Sequence, residues 1–408
     1  MPEVLFILHY IIPNDCLMNY QILFFFSVLN LTTTFCCVYG QTKTVWTKTF
    51  GGAKSDQIYW IEQASDKGFI LAGETKSFGA GDSDAWLIRL NKKGDTVWTK
   101  RYGGSNDDFA EGVLEMKDGG FIFAGHTKSF GAGNTDVWIV RTNKYGDTLW
   151  TKTWGGTGDD WGEEIRLTSD GGIVVPGWTT SSRGDFDAVL IKLDKNGNIQ
   201  WSQVYGGPLF DAAKSVIPLS DGFMIAGVTK SLGAGDADAY IIRTNLSGDT
   251  LWTKTYGGAK YDMPFCIIQT ADKNFAFTGR NHSFGHPEGN AWLHIINSQG
   301  DSLWTNTYGG KEYEVTTFVE KTFDKGFILS GITKSFGAGE FDAYVVKTNK
   351  MGDTLWTKTF GGTKNDYSYC IKQINRHEFV IVGTTDSFGA GESDGWLIRF
   401  RLTKDKSK

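Results

Sequence analysis

The hydrophobic and polar positions of residues 53–104 predict four short β-strands. Residues 58–63 are apolar, β-branched and aromatic, which is typical of a strand. Residues 68–73 form a continuous apolar run, as in a strand covered on both faces. A third apolar run, 85–90, follows a glycine-rich loop. Residues 96–102 then alternate between apolar and polar side chains, as in a half-exposed outer strand.

The connections between these runs favour antiparallel pairing. Residues 66–68 and 91–95 are tight turns, and their glycines suit a positive φ. Gly103 and Gly104 allow the chain to cross to the next unit. The pattern therefore describes a four-stranded antiparallel sheet with short turns.

This four-strand unit recurs along almost the whole chain. Seven copies at a nearly fixed period are the signature of a repeat architecture, and four antiparallel strands per copy are typical of a propeller blade. The sequence predicts an all-β, seven-bladed β-propeller. A β-sandwich array is the competing geometry, and the hairpin turns disfavour a parallel β-helix. The tryptophan of the fourth strand recurs every 51 or 52 residues, at Trp46, Trp98, Trp150, Trp201, Trp252, Trp304 and Trp356.

The phase of the repeats predicts how the ring closes. The last copy lacks a fourth strand, whereas residues 43–50 form a fourth strand with no preceding partner. We expect residues 43–50 to pair with residues 395–402, because an open sheet edge favours aggregation. The predicted blades are residues 53–104, 105–156, 157–207, 208–258, 259–310, 311–362, and 363–402 together with 43–50.

Residues 1–40 differ in composition from the repeats and predict a signal peptide. Residues 22–31 are apolar but short for a membrane span, and small residues before Gln41 suit a peptidase site. A start at Met18 gives a more ordinary signal length, in which case residues 1–17 are not translated. A membrane anchor and a lipid anchor at Cys36 or Cys37 are the alternatives. The expected location is extracellular or periplasmic, with attachment to the cell surface as a variant.

Composition and charge narrow the classes of partner. The chain holds 52 glycines and 7 prolines in 408 residues, which suits many strands joined by turns. Without residues 1–40 it carries 41 basic and 44 acidic residues, so it lacks the positive field that nucleic acid or an anionic membrane requires. Residues 403–408 form a short basic tail. Cys266 and Cys370 occupy the same repeat position, and we expect both to be buried without a disulfide.

The repeat motif resembles a known family. Its elements are G-G-x3-D, then D-G-G-F-I-x-A-G-x-T-x-S-F-G-A-G-x-x-D-A, then L-I-R-T-N-x-x-G-D-T-L-W. Together they resemble the bacterial and archaeal extracellular β-propeller repeat often labelled SBBP, over residues 43–402. The resemblance implies a secreted or surface-displayed propeller. It implies no activity, because no catalytic motif carries over.

Two series of aspartates repeat with the motif, and we interpret both as structural. One series precedes the third strand and the other follows the double glycine, where a side chain caps nearby backbone amides. Calcium at the G-A-G-x-x-D loops is the alternative; otherwise we expect no cofactor. The two series are Asp84, Asp136, Asp187, Asp238, Asp342 and Asp394, and Asp56, Asp108, Asp160, Asp211, Asp262 and Asp366, with Glu314 in the sixth copy.

Departures from the repeat supply the candidate ligand-binding residues. One second-strand position varies strongly, and it holds Glu74, His126, Trp178 and Arg280 in four copies. A variable position on a constant frame suits a ligand site; the alternative is a solvated position without constraint. Trp154 and Trp161 join Trp178 as tryptophans outside the usual registers. Exposed together, they provide flat platforms for sugars or partner proteins, whereas packing between blades is the alternative.

Chemical motifs are sparse. His282, His286 and Glu288 in the fifth repeat are weak metal candidates, and we predict no metal site. No Ser-His-Asp signature, phosphate-binding loop or zinc motif occurs. Glu163, Glu164 and Asp159 are non-repeating acids that suit a hydrolase with carboxylates at the channel mouth.

Three functions follow in order of preference. The first is a secreted, monomeric, non-catalytic propeller that binds a glycan or protein partner through its loop face. The second is a carbohydrate-active hydrolase or lyase. The third is a purely structural module.

Overall fold

The structure is a computed structural model that describes residues 42–180 and 185–403. The predicted signal peptide, the mature start at Gln41 and residues 404–408 of the basic tail lie outside the described residues. Neither described range contains a helix that is long and apolar enough to cross a membrane.

All regular elements of the described residues are strands. In chain order they are β1 Thr42–Phe50, β2 Asp56–Gln63, β3 Phe69–Thr75, β4 Asp84–Leu90, β5 Thr96–Tyr102, β6 Asp108–Glu115, β7 Phe121–Thr127, β8 Asp136–Thr142, β9 Thr148–Trp154, β10 Asp160–Gly162, β11 Arg166–Leu167, β12 Ile173–Thr179, β13 Asp187–Leu193, β14 Ile199–Tyr205, β15 Asp211–Leu219, β16 Gly222–Thr229, β17 Asp238–Thr244, β18 Thr250–Tyr256, β19 Asp262–Gln269, β20 Phe275–Asn281, β21 Asn290–Ile296, β22 Ser302–Tyr308, β23 Glu314–Lys321, β24 Phe327–Thr333, β25 Asp342–Thr348, β26 Thr354–Phe360, β27 Asp366–Asn375, β28 Glu378–Thr385 and β29 Asp394–Leu402.

These strands form seven antiparallel sheets, and the predicted seven-bladed β-propeller is confirmed. Blade 1 is β2–β5, blade 2 is β6–β9 and blade 3 is β10–β14. Blade 4 is β15–β18, blade 5 is β19–β22 and blade 6 is β23–β26; β27–β29 and β1 form blade 7. In blade 3 the first strand is split, since β10 and β11 both pair with β12.

The first strand of each blade lies at the centre of the ring. First strands of neighbouring blades contact one another, and β2 contacts β27 across the closure. The second and third strands of blade 1 are buried throughout, whereas its fourth strand, β5, is exposed at alternate residues. First strands run from the face that carries the links between blades, here called the loop face, to the opposite face, here called the turn face.

The ring closes as the sequence predicts. β1 pairs with β29 in an antiparallel register that runs from Thr42 opposite Leu402 to Phe50 opposite Gly395. The indole Nε1 of Trp396 also donates a hydrogen bond of 2.7 Å to Thr47 Oγ1. The last blade is therefore built from both ends of the described chain.

A buried carboxylate fixes the start of each first strand. In blade 1, Asp56 is fully buried and accepts hydrogen bonds from Gly52 N at 2.8 Å and from Ser77 Oγ at 2.6 Å. It also accepts one from the Thr75 hydroxyl. One side chain thus joins its own strand, the link from the preceding blade and the loop between β3 and β4. We call this arrangement the carboxylate clamp; its members are Asp56, Asp108, Asp160, Asp211, Asp262, Glu314 and Asp366, all 0% exposed.

The aspartates before the third strands are also structural. Asp136 Oδ2 accepts a hydrogen bond of 2.9 Å from Gly133 N, and Asp342 Oδ2 accepts bonds of 2.9 Å from both Ala338 N and Gly339 N. These contacts confirm that the aspartates bond to nearby backbone amides.

Neighbouring blades are clasped at the turn face by a tryptophan and a glycine. Gly94 has a φ of +83°, and a Cβ there would lie 2.8 Å from the ring of Trp46, so the turn needs glycine for both conformation and space. Tyr102 also donates a hydrogen bond of 2.7 Å to the carbonyl of Gly146 in the next blade. The tryptophan contacts recur as Trp46–Gly94, Trp98–Gly146, Trp150–Gly197, Trp201–Gly248, Trp252–Gly300 and Trp304–Gly352.

Removing the closing strand should destabilise the whole ring. A chain that lacks residues 1–52 loses β1 and exposes the edge of β29. A control chain that lacks residues 1–41 keeps β1 paired with β29. We expect the shorter chain to melt about 10 °C lower and to associate through the open edge. Thermal melting and size-exclusion chromatography of both chains measure this. An equal melting temperature and a monomeric elution for both would contradict it.

Candidate functional site

The centre of the ring is lined by one displaced residue from each first strand. In blade 1 the pairing of β2 with β3 shifts between Ile58 and Trp60, so Tyr59 is the extra residue of a β-bulge. A bulge leaves one residue outside the ladder and redirects its side chain. The same shift occurs in every other blade except the third, where the break between β10 and β11 places Glu163 at the equivalent position. The seven central residues are Tyr59, Glu111, Glu163, Lys214, Phe265, Thr317 and Tyr369.

These seven side chains surround a central cavity of about 270 Å³. The following residue of five first strands completes the lining: Trp60, Glu164, Ser215, Cys266 and Phe318. Pockets for small molecules usually measure about 300–1,000 Å³, so this cavity suits a small ligand or one group of a larger partner.

Trp60 separates the cavity from the turn face. Its ring lies 5.4 Å from the ring of Phe318 in blade 6. Arg166 of blade 3 and Lys372 of blade 7 lie 5.2 and 5.6 Å from the Trp60 ring centroid. In blades 3 and 7 the position of Trp60 is occupied by Glu164 and Cys370. Arg166 and Lys372 each follow that position by two residues, so both cations lie nearer the turn face. The cavity therefore lies on the loop-face side of this aromatic and cationic layer.

Two of the three acids in the lining are paired with basic residues. Glu163 contacts Lys214, and each side chain is 19% exposed. Trp178 Nε1 donates a further hydrogen bond of 3.2 Å to Glu163 Oε1. Glu164 contacts Arg166 and accepts a hydrogen bond of 3.0 Å from Val216 N. These two carboxylates are held by neighbouring donors.

Glu111 differs because no Lys or Arg of the described residues pairs with it. Its carboxyl instead lies beside His126, whose Nδ1 is 4.0 Å from Glu111 Oε1. Loss of hydration, reinforced by the carboxylate of Glu163, raises the pKa of Glu111 to about 8. At neutral pH the Glu111 carboxyl is therefore largely protonated, beside the salt-bridged Glu163.

An aromatic stack lies beside the cavity. His126 is sandwiched between Phe109 and Trp161, with ring centroids 4.3 and 3.9 Å away, and Trp161 stacks on Trp178 at 4.8 Å. His126 is 1% exposed, and neither ring nitrogen has a hydrogen-bond partner among the described residues. Burial lowers the pKa of His126 to about 3, so the imidazole is neutral. Phe186 then contacts Trp178 edge-on at 4.8 Å and extends the stack towards blade 4.

The structure brings together only some of the ligand-binding residues predicted from the sequence. His126, Trp161 and Trp178 are in mutual contact. Glu74 reaches the cavity indirectly, because it accepts a hydrogen bond of 2.8 Å from the phenol of Tyr59. Trp154 ends β9 in the outer strand of blade 2 and packs against a separate core cluster.

Arg280 lies between blades 5 and 6, away from these residues. Its guanidinium stacks 4.9 Å from the ring of Tyr261, and its Nη1 donates a hydrogen bond of 2.9 Å to Tyr313 Oη. The variable second-strand position is not solvated, so that alternative is wrong. Glu74, His126 and Thr384 are at most 4% exposed there, because this position packs between blades.

The other residues that the sequence suggested for catalysis or metal binding do not lie together. Glu163 and Glu164 line the cavity, whereas Asp159 lies in the link before β10 and bonds to Thr180. In the fifth repeat, the Nδ1 atoms of His282 and His286 contact backbone groups. Within residues 42–180 and 185–403, no group of three or more His, Cys, Asp or Glu residues is placed to hold a metal ion. Cys266 and Cys370 are buried, as predicted, with free thiols.

The residues that the sequence alone missed are those of the bulges. Tyr59, Glu111, Lys214, Phe265 and Tyr369 occupy a first-strand position that varies as strongly as the second-strand position. That variation was the available signal. The variation does not show which way these side chains point, because a bulge redirects a side chain without changing the composition of the strand.

Comparisons with known proteins agree with the fold. No family model matches the chain. The regulatory protein FlaEY of Caulobacter vibrioides is 22% identical over 298 residues, which cover 66% of this chain and 29% of that protein. The chain thus spans less than a third of the length of this relative.

A solved WD40 domain has a similar architecture. The WD40 domain of Neurospora crassa Pan2 matches with a TM-score of 0.54 and 11% identity, over 90% of this chain and 97% of that domain. A protein of unknown function from Dyadobacter fermentans has a TM-score of 0.48 and 10% identity, over 89% and 99% of the two chains. The likeness to the WD40 domain places the chain among β-propellers.

The protonation of Glu111 should appear in the pH dependence of stability. Its carboxyl ionises near pH 8 in the folded chain, against an ordinary value of 4.5. The folded state therefore loses stability as the pH rises between these values, by about 1.4 kcal/mol per pH unit. Glu111→Gln removes this pH-dependent loss of stability. The difference in the free energy of unfolding between the variant and wild type should therefore grow by about 1.4 kcal/mol per pH unit in favour of the variant.

Urea unfolding of both proteins between pH 5.5 and 7.5 measures the difference. His126 contributes an opposite slope below its ordinary pKa, but it does so in both proteins and cancels. Glu340→Gln, on an exposed loop residue, is the matched control and should leave the slope unchanged. Parallel pH profiles for wild type and Glu111→Gln would contradict the assignment.

Proposed function

We propose that the protein is an interaction module that binds a partner across its loop face and uses the central cavity for specificity. One observation carries this proposal. The clamp and the strand framework repeat in all seven blades, whereas the seven central residues comprise two acids, one base, three aromatics and one threonine. Sevenfold structure alone does not require this variety at the centre, but selective binding does.

The rim of the same face supports a protein partner. The loop between the second and third strands presents one large apolar side chain in six blades, each 40–48% exposed. Exposed apolar groups on a polar surface are typical of protein contacts. In the described part of the chain they are Phe78, Phe130, Leu232, Phe284, Phe336 and Phe388.

A glycan partner receives less support from the tryptophans. Trp161 and Trp178 are half-buried and stack on each other, and Trp154 lies elsewhere, so the three do not form one exposed platform. A sugar unit would instead have to enter the central cavity, whose walls combine aromatic rings with carboxyl groups.

Hydrolysis is the second candidate, and one observation favours it. Glu111 and Glu163 face the same cavity in different surroundings: the pKa of Glu111 is raised, whereas Glu163 forms a salt bridge with Lys214. Glycosidases use such a pair, an acid and a carboxylate.

Export completes the proposal. The apolar segment at residues 22–31 and the resemblance of the repeats to extracellular SBBP-type propellers both support a secreted or surface-displayed protein, which we expect to be a monomer.

Peptide and glycan arrays test this function. We expect the wild-type chain to bind one class of probe and Phe265→Ala, which removes a cavity wall, to bind about tenfold more weakly. Met351→Ala is the control, since Met351 is 56% exposed on the turn face. Release of nitrophenol from aryl glycosides by the wild type but not by Glu163→Gln would favour hydrolysis. Loss of array binding in the control alone, or silence across both arrays, would contradict the proposal.

A further inference from the structure

The charges around the central cavity leave one carboxyl group without a basic partner. Lys214 is paired with Glu163, and Arg166 with Glu164. Glu111 faces the same space without a lysine or arginine partner in the described residues. The Glu111 side chain is 23% exposed, and a carboxyl that is largely shielded from water without such a partner is costly to ionise. A cationic ligand would reduce that cost.

The remaining walls suit a cation as well. Tyr59, Phe265 and Tyr369 contribute aromatic rings from blades 1, 5 and 7, and the rings of Tyr59 and Tyr369 lie 5.5 Å apart. Aromatic faces attract ammonium groups by about 0.5–2 kcal/mol, most strongly where water is excluded. The phenol of Tyr59 already donates a hydrogen bond to Glu74, which leaves the ring electron-rich.

An anionic ligand fits less well. Lys214 is the only basic residue of the described chain that lines the cavity, and Glu163 already holds it. An anion would lie beside Glu111, Glu163 and Glu164. The second layer adds Glu74, which no lysine or arginine of the described residues pairs with.

We propose that the central cavity binds a single organic ammonium group, with the Glu111 carboxylate as its counter-ion and Tyr59, Phe265 and Tyr369 around it. This inference rests on the proposed use of the cavity for binding and names the chemistry of its ligand. The volume of about 270 Å³ holds one such group with a short substituent. The neutral imidazole of His126, 4.0 Å behind the carboxyl, adds no competing positive charge.

Binding must be linked to protons. The carboxyl of Glu111 is largely protonated at neutral pH, and a bound cation stabilises its ionised form, so binding near neutral pH releases a proton. Affinity should therefore rise by about tenfold per pH unit up to about pH 8. The charged or titratable groups that face Glu111 are Glu163 and Lys214 in the lining, His126 beside it, and Glu74, Tyr59 and Tyr369 on the neighbouring blades.

Calorimetry with matched probes tests the inference on the full-length chain. Choline is compared with 3,3-dimethylbutan-1-ol, its neutral isostere, and butylammonium with butyrate. We expect both cations to bind, the neutral isostere to bind about tenfold more weakly and butyrate to show no binding. Titration in two buffers of different ionisation enthalpy measures the released proton. The ammonium group can come from a lysine side chain of a protein or from a free small amine, and an Nα-acetyl-lysine amide probe distinguishes these two sources. Tighter binding of this probe than of choline indicates a protein side chain, and weaker binding indicates a free amine.

Glu111→Gln is the decisive variant, because glutamine has the shape of the protonated acid. It should fold, lose about tenfold in choline affinity at pH 8 and release no proton, whereas Glu340→Gln should match wild type. Phe265→Ala tests the aromatic wall should Glu111→Gln fail to fold. Equal binding of the neutral isostere, binding of butyrate, or no cation binding at all would overturn the inference. If Phe265→Ala still weakens array binding, such a result refutes the ammonium ligand while the proposed function stands.

Discussion

The carboxylate clamp is the interaction on which the rest of the structure depends. Each clamp residue is fully buried and accepts hydrogen bonds from neighbouring donors, which is the condition under which a buried carboxylate is tolerated. Because its donors come from the preceding link and from the loop between the second and third strands, it fixes where each first strand begins. Seven clamps therefore set seven first strands at the same height around the axis.

That common height gives the bulges their importance. The displaced residue lies three positions after the clamp in every blade, so seven side chains meet at one level in the centre. Backbone and clamp then carry the stability of the ring. The central residues are released from that role, so this position can hold side chains as different as Lys214 and Phe265 without loss of the fold, and the proposed binding function makes use of that freedom. His126 shows what this costs, since its imidazole is buried and neither ring nitrogen has a hydrogen-bond partner among the described residues. Glu111 is partly shielded from water without a lysine or arginine partner in the described residues, and its pKa is raised.

The repeat pattern of the sequence predicts most of the fold. The period of the tryptophans, the turn glycines and the incomplete last copy are local signals, and each has a direct structural consequence: blade number, strand order and closure by residues 42–50. Aspartates that recur with the motif were correctly interpreted as caps, because short polar side chains beside glycines bond to nearby amides.

The candidate site was less accessible from the sequence. A bulge depends on the pairing of two strands, so the direction of Glu111 or Tyr59 cannot be inferred from composition. The second-strand position of His126 varies as a surface position does, yet it is buried because neighbouring blades press against it. Trp154 and Trp161 are close in the chain but lie in different blades and packing environments. Variation along the repeats indicates that the binding region lies on the first and second strands. Only the three-dimensional contacts distinguish the residues that line the cavity from those that pack behind them.

The ionisation of Glu111 links the fold to the proposed function, because the bulge places this carboxyl in the central cavity. It can be observed directly. Side-chain ¹³C NMR of glutamate-labelled protein, titrated from about pH 3 to 10, follows each carboxyl separately. We predict one glutamate resonance that titrates near pH 8 and is absent from Glu111→Gln. Titration of every glutamate below about pH 6 would show that Glu111 is hydrated or paired, and would contradict a cavity built around an unpaired acid.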